Sequence, residues 1–209
     1  MLSDEKKKFF WNRQFNLKGR IVYPNLFEPR DGLNNGPKKF STAFMWLKEE
    51  NKEVFQEMVG MIKEYKAKYF PKHPGFVVPF KDENSKKQDG SDHPEFFDGH
   101  YWFNASSNVD YPPKVFDVNK KEIIDPTGVH SGRNAIINVS MFAYEVHGKV
   151  GVSINLRAVV VLSGGEPVGG GGSISSGDID KMFADVKYDV EKEETKTVMG
   201  EGSSFFDSM

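Results

Sequence analysis

Aromatic and basic side chains occur among small polar residues in two neighbouring stretches of the chain, 134–146 and 150–162. Every second position is apolar from Ala135 to Ala143 and from Val150 to Leu162. The positions between hold Asn138, Ser140, Phe142 and Tyr144 in the first stretch and Gly151, Ser153, Asn155 and Arg157 in the second. Aromatic rings stack on nucleobases of any identity, and arginine pairs with phosphate. The combination favours a flat, charged ligand, and single-stranded nucleic acid is the leading hypothesis.

The alternation predicts two β-strands that each have one apolar face and one polar face. A hairpin that turns at His147 and Gly148 joins them. Its predicted cross-strand pairs are Phe142 with Ser153, Ser140 with Asn155, and Asn138 with Arg157. In this register the apolar row of the second strand continues through Ala158 and Val160.

Other elements bring further polar and aromatic residues into reach. Strands are predicted at 15–23, 39–47 and 100–107, with a short one at 114–118, and a helix at 51–70 has Asn51 as its N-cap. The polar face of strand 15–23 carries Lys18 and Arg20, that of strand 39–47 carries Lys39, and that of strand 100–107 carries Trp102 and Asn104. An aromatic ring on such a face is explained equally by a covering loop, by the helix or by a second copy of the chain. Those alternatives stay open for Trp102, Phe142 and Tyr144.

Charge is distributed unevenly along the 209 residues, although the net charge is only −2. Residues 1–90 hold 18 Lys and Arg against 12 Asp and Glu, residues 91–172 hold 6 against 9, and residues 173–209 hold 4 against 9. A basic front and an acidic tail fit either a solvated extension or a tail that competes with nucleic acid for a basic groove. The sequence contains no cysteine, which excludes disulfides and fits a reducing compartment. No signal peptide or membrane span is expected.

Three regions are predicted from these patterns. Residues 1–14 form a basic N-terminal arm, residues 15–172 form the folded domain, and residues 173–209 form an acidic segment with a short helix at 178–190. The glycine-rich stretch 163–172 is interpreted as a flexible boundary. It lacks the lysine of a phosphate-binding loop.

Chemistry other than binding finds little support. The loop 71–99 and the residue after it contain Asp89, Asp92, His93 and His100, but their spacing matches neither a zinc site nor an EF-hand. No metal, no cofactor and no catalytic residues are therefore predicted. Two alternatives are retained: a structural or carbohydrate-binding β module, and a metal-dependent enzyme that uses these four residues.

Ordered sequence blocks carry a resemblance to a known family. The blocks are GRIVYPNLFEP from Gly19, KFS from Lys39, GHYWFNA from Gly99, the Pro112-Pro113 pair and GEPVGG from Gly165. In this order they resemble the phage single-stranded DNA-binding proteins of the DUF2815 type, relatives in fold of the phage T7 single-stranded DNA-binding protein. The resemblance covers about residues 15 to 172.

The resemblance implies a mainly β protein with an OB-fold, that is, a five-stranded barrel with an inserted α-helix, long loops and an acidic C-terminal tail. It implies a non-enzymatic protein that coats single-stranded DNA with little sequence preference in phage replication, recombination or repair, in the host cytoplasm. The predicted nucleic-acid-binding residues are Lys18, Arg20, Lys39, Trp102, Asn104, Phe142, Tyr144 and Arg157. The tail, with Phe205, Phe206 and Asp207, is expected to shield the groove or to recruit phage or host replication proteins. A homodimer is left open, and no membrane contact is expected.

Overall fold

The computed structural model describes residues 2–32, 36–87, 89–146 and 148–168. Its helices are α1 (Asp4–Lys8) and α2 (Lys52–Tyr69), with one 3-10 turn at Glu95–Phe97. Its strands are β1 (Gln14–Gly32), β2 (Gly36–Leu47), β3 (His100–Asn108), β4 (Lys114–Phe116), β5 (Asn134–Val146) and β6 (Lys149–Val161). The helix predicted at 178–190 lies outside the described residues.

Five of the strands close into a barrel. Their order is β3-β2-β1-β5-β6, and the parallel pairing of β3 with β6 closes the ring at Ala105 opposite Ile154 and Ser106 opposite Asn155. The sixth strand, β4, runs parallel to β6 outside the ring, and α2 is inserted between β2 and β3. The prediction of an OB-fold barrel with an inserted helix is confirmed.

Strand β1 belongs to both halves of the barrel. Its first part pairs with β5 and its second part with β2, and the exchange occurs near Arg20. The register of β1 against β2 shifts just beyond, where Tyr23 has a φ of 50° and Pro24 follows. This bulge bends the strand, as barrel closure requires. The predicted strand end at residue 23 is therefore wrong, because Pro24 occupies the bulge and the strand continues to Gly32.

The barrel interior is filled from the alternating apolar positions of all five strands and from one face of α2. The helix contributes Met58, Ile62 and Tyr65 to the same core as the strands. Asn51 occupies the N-cap position, as predicted, and its carbonyl accepts from Phe55 N at 2.8 Å. Its side chain makes no capping bond and instead accepts from Lys18 N at 3.1 Å and donates to Lys18 O at 2.8 Å. These bonds tie the start of α2 to β1. No helix within the described ranges has the length and apolar character needed to span a membrane.

The N-terminal arm packs against α2. Phe10 is buried, and the rings of Phe9 and Phe10 lie 5.2 and 5.0 Å from the ring of Tyr65. The Glu5 carboxylate accepts hydrogen bonds from the Tyr69 hydroxyl at 2.7 Å and from Lys68 at 3.1 Å. The arm is thus anchored by aromatic packing as well as by charge.

Residues 163–168 fold back along the barrel. Val168 N donates to Ser131 O at 3.0 Å, Asn134 N donates to Gly164 O at 3.3 Å, and the Arg20 guanidinium donates to the carbonyls of Gly132 and Glu166. The expectation of a flexible boundary is wrong for these residues. Glycines on both sides of this contact allow close backbone approach, since a Cβ on Gly165 would overlap the Gly132 carbonyl oxygen and a Cβ on Gly132 would overlap the Glu166 carbonyl oxygen.

Replacing Tyr65 with phenylalanine is expected to reduce the loss of stability at high pH. The Tyr65 side chain is fully buried, and in the described structure its hydroxyl has no hydrogen-bond partner. Burial raises the pKa of Tyr65 from 10.0 to about 12. The unfolded chain then releases this proton at a lower pH than the folded chain, so the folded state loses stability as the pH rises between these two values.

Urea unfolding at about pH 9 and about pH 11 measures this effect. The free energy of unfolding should fall less in Tyr65→Phe than in the unmodified protein. At pH 9 the variant should be at least as stable, because an unpartnered buried hydroxyl is costly. An identical decline in both proteins would contradict the assignment.

Candidate nucleic-acid interface

The outer face of the β5–β6 hairpin carries the polar and aromatic row that the sequence indicates. Phe142 is opposite Ser153 and Ser140 is opposite Asn155, in the predicted register. Asn155 Nδ2 donates to Ser140 Oγ at 3.4 Å. Phe142 is 39% exposed, whereas Tyr144 is half-buried and burial raises the pKa of its hydroxyl. Phe142 therefore presents the more accessible ring.

A β-bulge changes the register further along the hairpin. Val139 is opposite Leu156, but Asn138 is opposite Ala158, so Arg157 is the extra residue of the bulge. The predicted pairing of Asn138 with Arg157 is wrong. The apolar row also shifts by one residue, and Val159 and Val161 are buried instead of Ala158 and Val160. Arg157 nevertheless remains exposed on the outer surface.

Phe142 and Arg157 line one cleft, which we call the arm cleft. Its volume is about 340 Å³, and it is formed by β5, β6, the start of β1 and the N-terminal arm. Besides Phe142 and Arg157, its walls include Ser140, Trp11 and Arg13. The cleft brings together two of the predicted binding residues with arm residues that were not among those predicted.

Trp102, which the sequence predicts as a stacking residue, is covered in the structure, and its contact with DNA stays a prediction. It is 3% exposed and belongs to an outer apolar cluster formed by Val22, Ala43, Met45, Phe97 and Trp102. The Phe97 ring stacks on it with centroids 4.4 Å apart, and Lys81 Nζ lies 4.4 Å from the ring centroid. Of the alternatives left open by the sequence, the covering loop accounts for Trp102.

Backbone hydrogen bonds hold the covering loop in place. Lys81 N donates to Trp102 O at 2.8 Å, and Trp102 N donates to Lys81 O at 3.0 Å. Burial lowers the pKa of Lys81. Burial and the positive charge of Lys81 lower the pKa of His93, whose ring lies 4.6 Å from that of Trp102. The Nε1 of Trp102 and the Nε2 of His93 are buried without hydrogen-bond partners within the described ranges.

Asn104 and Lys39 lie on the outer surface of β3 and β2. Asn104 is exposed, and two residues on, Ser106 pairs with Asn155 of β6. The parallel β3–β6 contact thus joins the polar face of β3 to the polar face of the hairpin. Lys39 is half-buried opposite Asn108 at the far end of β3.

Lys18 and Arg20 lie at another end of the barrel. They border a separate cavity of about 640 Å³ that also contacts Trp46 and His100. The Lys18 side chain is exposed, but the Arg20 guanidinium is bound to the two backbone carbonyls described above. The eight predicted residues therefore do not line a single groove. A phosphate contact by Arg20 stays a prediction, since these bonds already use its Nε and Nη2.

Three of the four residues considered as metal ligands, Asp89, Asp92 and His100, have other partners. Asp92 forms an ion pair with Lys86, Asp89 accepts from Ser91, and His100 Nδ1 lies 2.7 Å from Asp98 O. Among the residues that the structure describes, no three His, Cys, Asp or Glu side chains converge as metal ligands would. The predicted tail residues Phe205, Phe206 and Asp207 lie outside the described residues.

The sequence matches the family model described as "Enterobacter phage Enc34, ssDNA-binding protein" over residues 16–193. The chain belongs to this family. Membership in the Enc34 family confirms the resemblance that the ordered sequence blocks indicated. No curated protein is similar enough in sequence to count as a match.

Two solved structures of the Enc34 protein share the fold of this Enc34-family chain. The single-stranded DNA-binding protein from bacteriophage Enc34 in complex with ssDNA is 19% identical, with a TM-score of 0.61 over 75% of this chain and 89% of that chain. A second structure of the Enc34 protein is 17% identical, with a TM-score of 0.60 over 79% and 89% of the two chains. Bacteriophage T7 gp2.5, a single-stranded DNA-binding protein, is 16% identical, with a TM-score of 0.49 over 72% and 92%.

Sequence reasoning missed two residues that shape this surface of the Enc34-family chain, Phe97 and Trp11. Phe97 covers Trp102, and Trp11 enters the arm cleft. Lys81, which also covers Trp102, belongs to the lysines of the 81–87 loop that the sequence suggests as an extension of the DNA path. The loop 71–99 has no periodicity that could place Phe97. Trp11 carried a usable signal, because a large aromatic next to Lys8 and Arg13 is the same combination that identified Phe142 and Arg157.

Proposed function

We propose that this chain binds and coats single-stranded DNA with little sequence preference, in phage DNA replication, recombination or repair. The observation that carries the proposal is the family match over most of the chain, on a closed five-stranded barrel with a polar and aromatic outer surface. OB-fold barrels of this kind bind oligonucleotides on the face of their second and third strands and on nearby loops. The mode of action is binding rather than catalysis.

The proposed path runs over the outer surface from the hairpin to β3. Phe142 and Tyr144 offer rings for base stacking, and Arg157 and Lys39 offer positive charge for phosphates. Between them lie the side chains of Ser140, Asn155, Ser106 and Asn104, linked by the β5–β6 and β3–β6 pairings. Because stacking accepts every base and phosphates are identical, such a path has little sequence preference.

Trp102 takes part in this path only if Phe97 moves. Phe97 stacks on Trp102 at 4.4 Å with an interplanar angle of 29°, an arrangement that a nucleobase could reproduce. We therefore assign Trp102 to the path as a covered stacking site, with Asn104 exposed beside it. Lys81 next to the ring would be available to a phosphate when Phe97 is displaced.

The acidic segment 173–209 is assigned a role as a shield of the basic surface and as a contact for replication proteins. Its excess of Asp and Glu is opposite in sign to the excess of Lys and Arg in residues 1–90. The proposed location is the cytoplasm of the bacterial host. A homodimer would be compatible with the same barrel surface.

Binding of the full chain to fluorescein-labelled oligo-dT tests the proposed function. Anisotropy should rise to saturation, and log K should fall linearly with log salt, with a slope of about −0.7 for each phosphate neutralised. A duplex of equal length and a soluble oligosaccharide serve as competitors. No change in anisotropy at low salt would contradict the proposal, and displacement by the oligosaccharide alone would favour the carbohydrate-binding alternative.

A further inference from the structure

Trp11 is a large aromatic side chain on the surface of the described structure. It is 65% exposed, whereas the other two tryptophans, Trp46 and Trp102, are buried. A single exposed apolar residue is common in proteins, so exposure alone assigns no role. What distinguishes Trp11 is the rigidity of the backbone that carries it and the charge of the cleft into which it opens.

The backbone around Trp11 is fixed on both sides. Trp11 N donates to Lys8 O at 3.0 Å, and Arg13 N donates to Phe10 O at 3.3 Å. The preceding Phe10 is 1% exposed within the core, and the following Asn12 has a φ of 66°. The indole is therefore held outward by a turn whose base is buried, and its binding costs little backbone entropy.

The arm cleft that Trp11 enters is basic. Its lining residues include Lys7, Arg13 and Arg157 and contain no Asp or Glu. Arg13 lies 3.5 Å from Glu57 and Lys7 lies 3.8 Å from Asp4, but all four of these side chains are exposed. Exposed ion pairs of this kind contribute little, so both cations can exchange their carboxylates for phosphates. Phe142 lines the same cleft on the opposite element, β5.

We propose that Trp11 is a second stacking platform for single-stranded DNA, and that Arg13 and Lys7 contact the adjoining phosphates. The N-terminal arm thereby extends the DNA path beyond Phe142 and Arg157. This inference rests on the proposed function, because it assumes that the chain binds single-stranded DNA. Two aromatic rings and three cations around one cleft are the elements of a sequence-tolerant single-strand site.

The test compares the unmodified full chain with Trp11→Ala and Trp11→Phe in the oligo-dT anisotropy assay. Trp11→Ala should weaken binding by about 5- to 30-fold, as expected for the loss of one stacked base, and Trp11→Phe should retain most of the affinity. Ile124→Ala is the matched control, since Ile124 is an exposed apolar residue outside the arm cleft. The control should bind as the unmodified chain does. Thermal unfolding should be nearly unchanged in all three variants, because the substituted side chains are exposed.

A second measurement reports on Trp11 directly. Acrylamide should quench mainly Trp11, because Trp46 and Trp102 are buried, and saturation with oligo-dT should reduce this quenching. If the unmodified chain binds no oligo-dT, the proposed function itself fails. If it binds but Trp11→Ala has the same affinity and DNA leaves acrylamide quenching unchanged, only this inference fails, and Trp11 is then free to serve a protein contact.

Discussion

A Gly132→Ala variant is expected to lose about 3 kcal/mol or more of its free energy of unfolding. Gly132 has a φ of 95°, a conformation that strains an L-residue. A Cβ at this position would also overlap the carbonyl oxygen of Glu166. The substitution therefore combines local strain with a clash against backbone, which cannot move aside as a flexible side chain can.

The clash should release the segment 163–168 from the barrel. That segment is held by Val168 N donating to Ser131 O and by the Arg20 guanidinium donating to Gly132 O and Glu166 O. Val168 also packs against the outer apolar cluster. Amide hydrogen exchange should accordingly become faster at Val168 in the variant, in addition to the global loss of stability.

Gly128→Ala is the matched control for this prediction. Gly128 has a φ of 84°, similar to that of Gly132, but a Cβ there would meet no atom within 4 Å. It should cost about 1 to 2 kcal/mol from backbone strain alone. Urea unfolding of both variants separates strain from clash. Equal losses in the two variants, with Val168 exchange unchanged, would show that residues 163–168 do not lie against Gly132.

Alternation along the chain predicts the strands well, because one face of each strand must enter the barrel interior. It does not predict the bulge in β6, for a reason visible in the sequence. Residues 158–161 are Ala, Val, Val and Val, so the apolar row can continue through either phase. Only the pairing with β5 selects Val159 and Val161 for the core.

Alternation along a strand cannot tell whether a residue on the outer surface is exposed or is covered by a loop. Trp102 lies on the polar side of β3, as predicted, but Phe97 of an irregular loop covers it. The stretch 163–168 presents the related problem that glycine is typical both of flexible linkers and of close backbone packing. A glycine-rich sequence is the same for a flexible linker and for a closely packed segment, and only the contact of residues 163–168 with Gly132 shows that this segment is packed.

Phe142→Ala and Arg157→Ala are expected to weaken single-stranded DNA binding in different ways. The Phe142 ring should contribute about 1 to 3 kcal/mol by stacking, and its removal should leave the salt dependence unchanged. Removal of Arg157 should reduce the slope of log K against log salt by about 0.7, because one phosphate contact is lost. The slope thus identifies which of the two interactions a variant has lost.

Lys63→Ala is the control for the loss of a positive charge in Arg157→Ala. Lys63→Ala removes an exposed cation on α2, outside the arm cleft, and should change neither the affinity nor the slope appreciably. Thermal unfolding should show small effects in all of these variants. If Lys63→Ala alters the slope as much as Arg157→Ala does, the salt dependence of binding reflects the total charge of the protein. A direct contact between Arg157 and a phosphate would then be contradicted.

The double variant Phe142→Ala, Arg157→Ala tests whether the two residues form one site. Both line the arm cleft, so a nucleotide stacked on Phe142 should place a phosphate within reach of Arg157. Loss of the stacked base would then also weaken the charge contact, and the double variant should lose less affinity than the two single variants combined. Strict additivity would mean that the residues contact different nucleotides independently. Phe142 and Arg157 would then be separate contacts along the DNA, and the arm cleft would not bind one nucleotide as a unit.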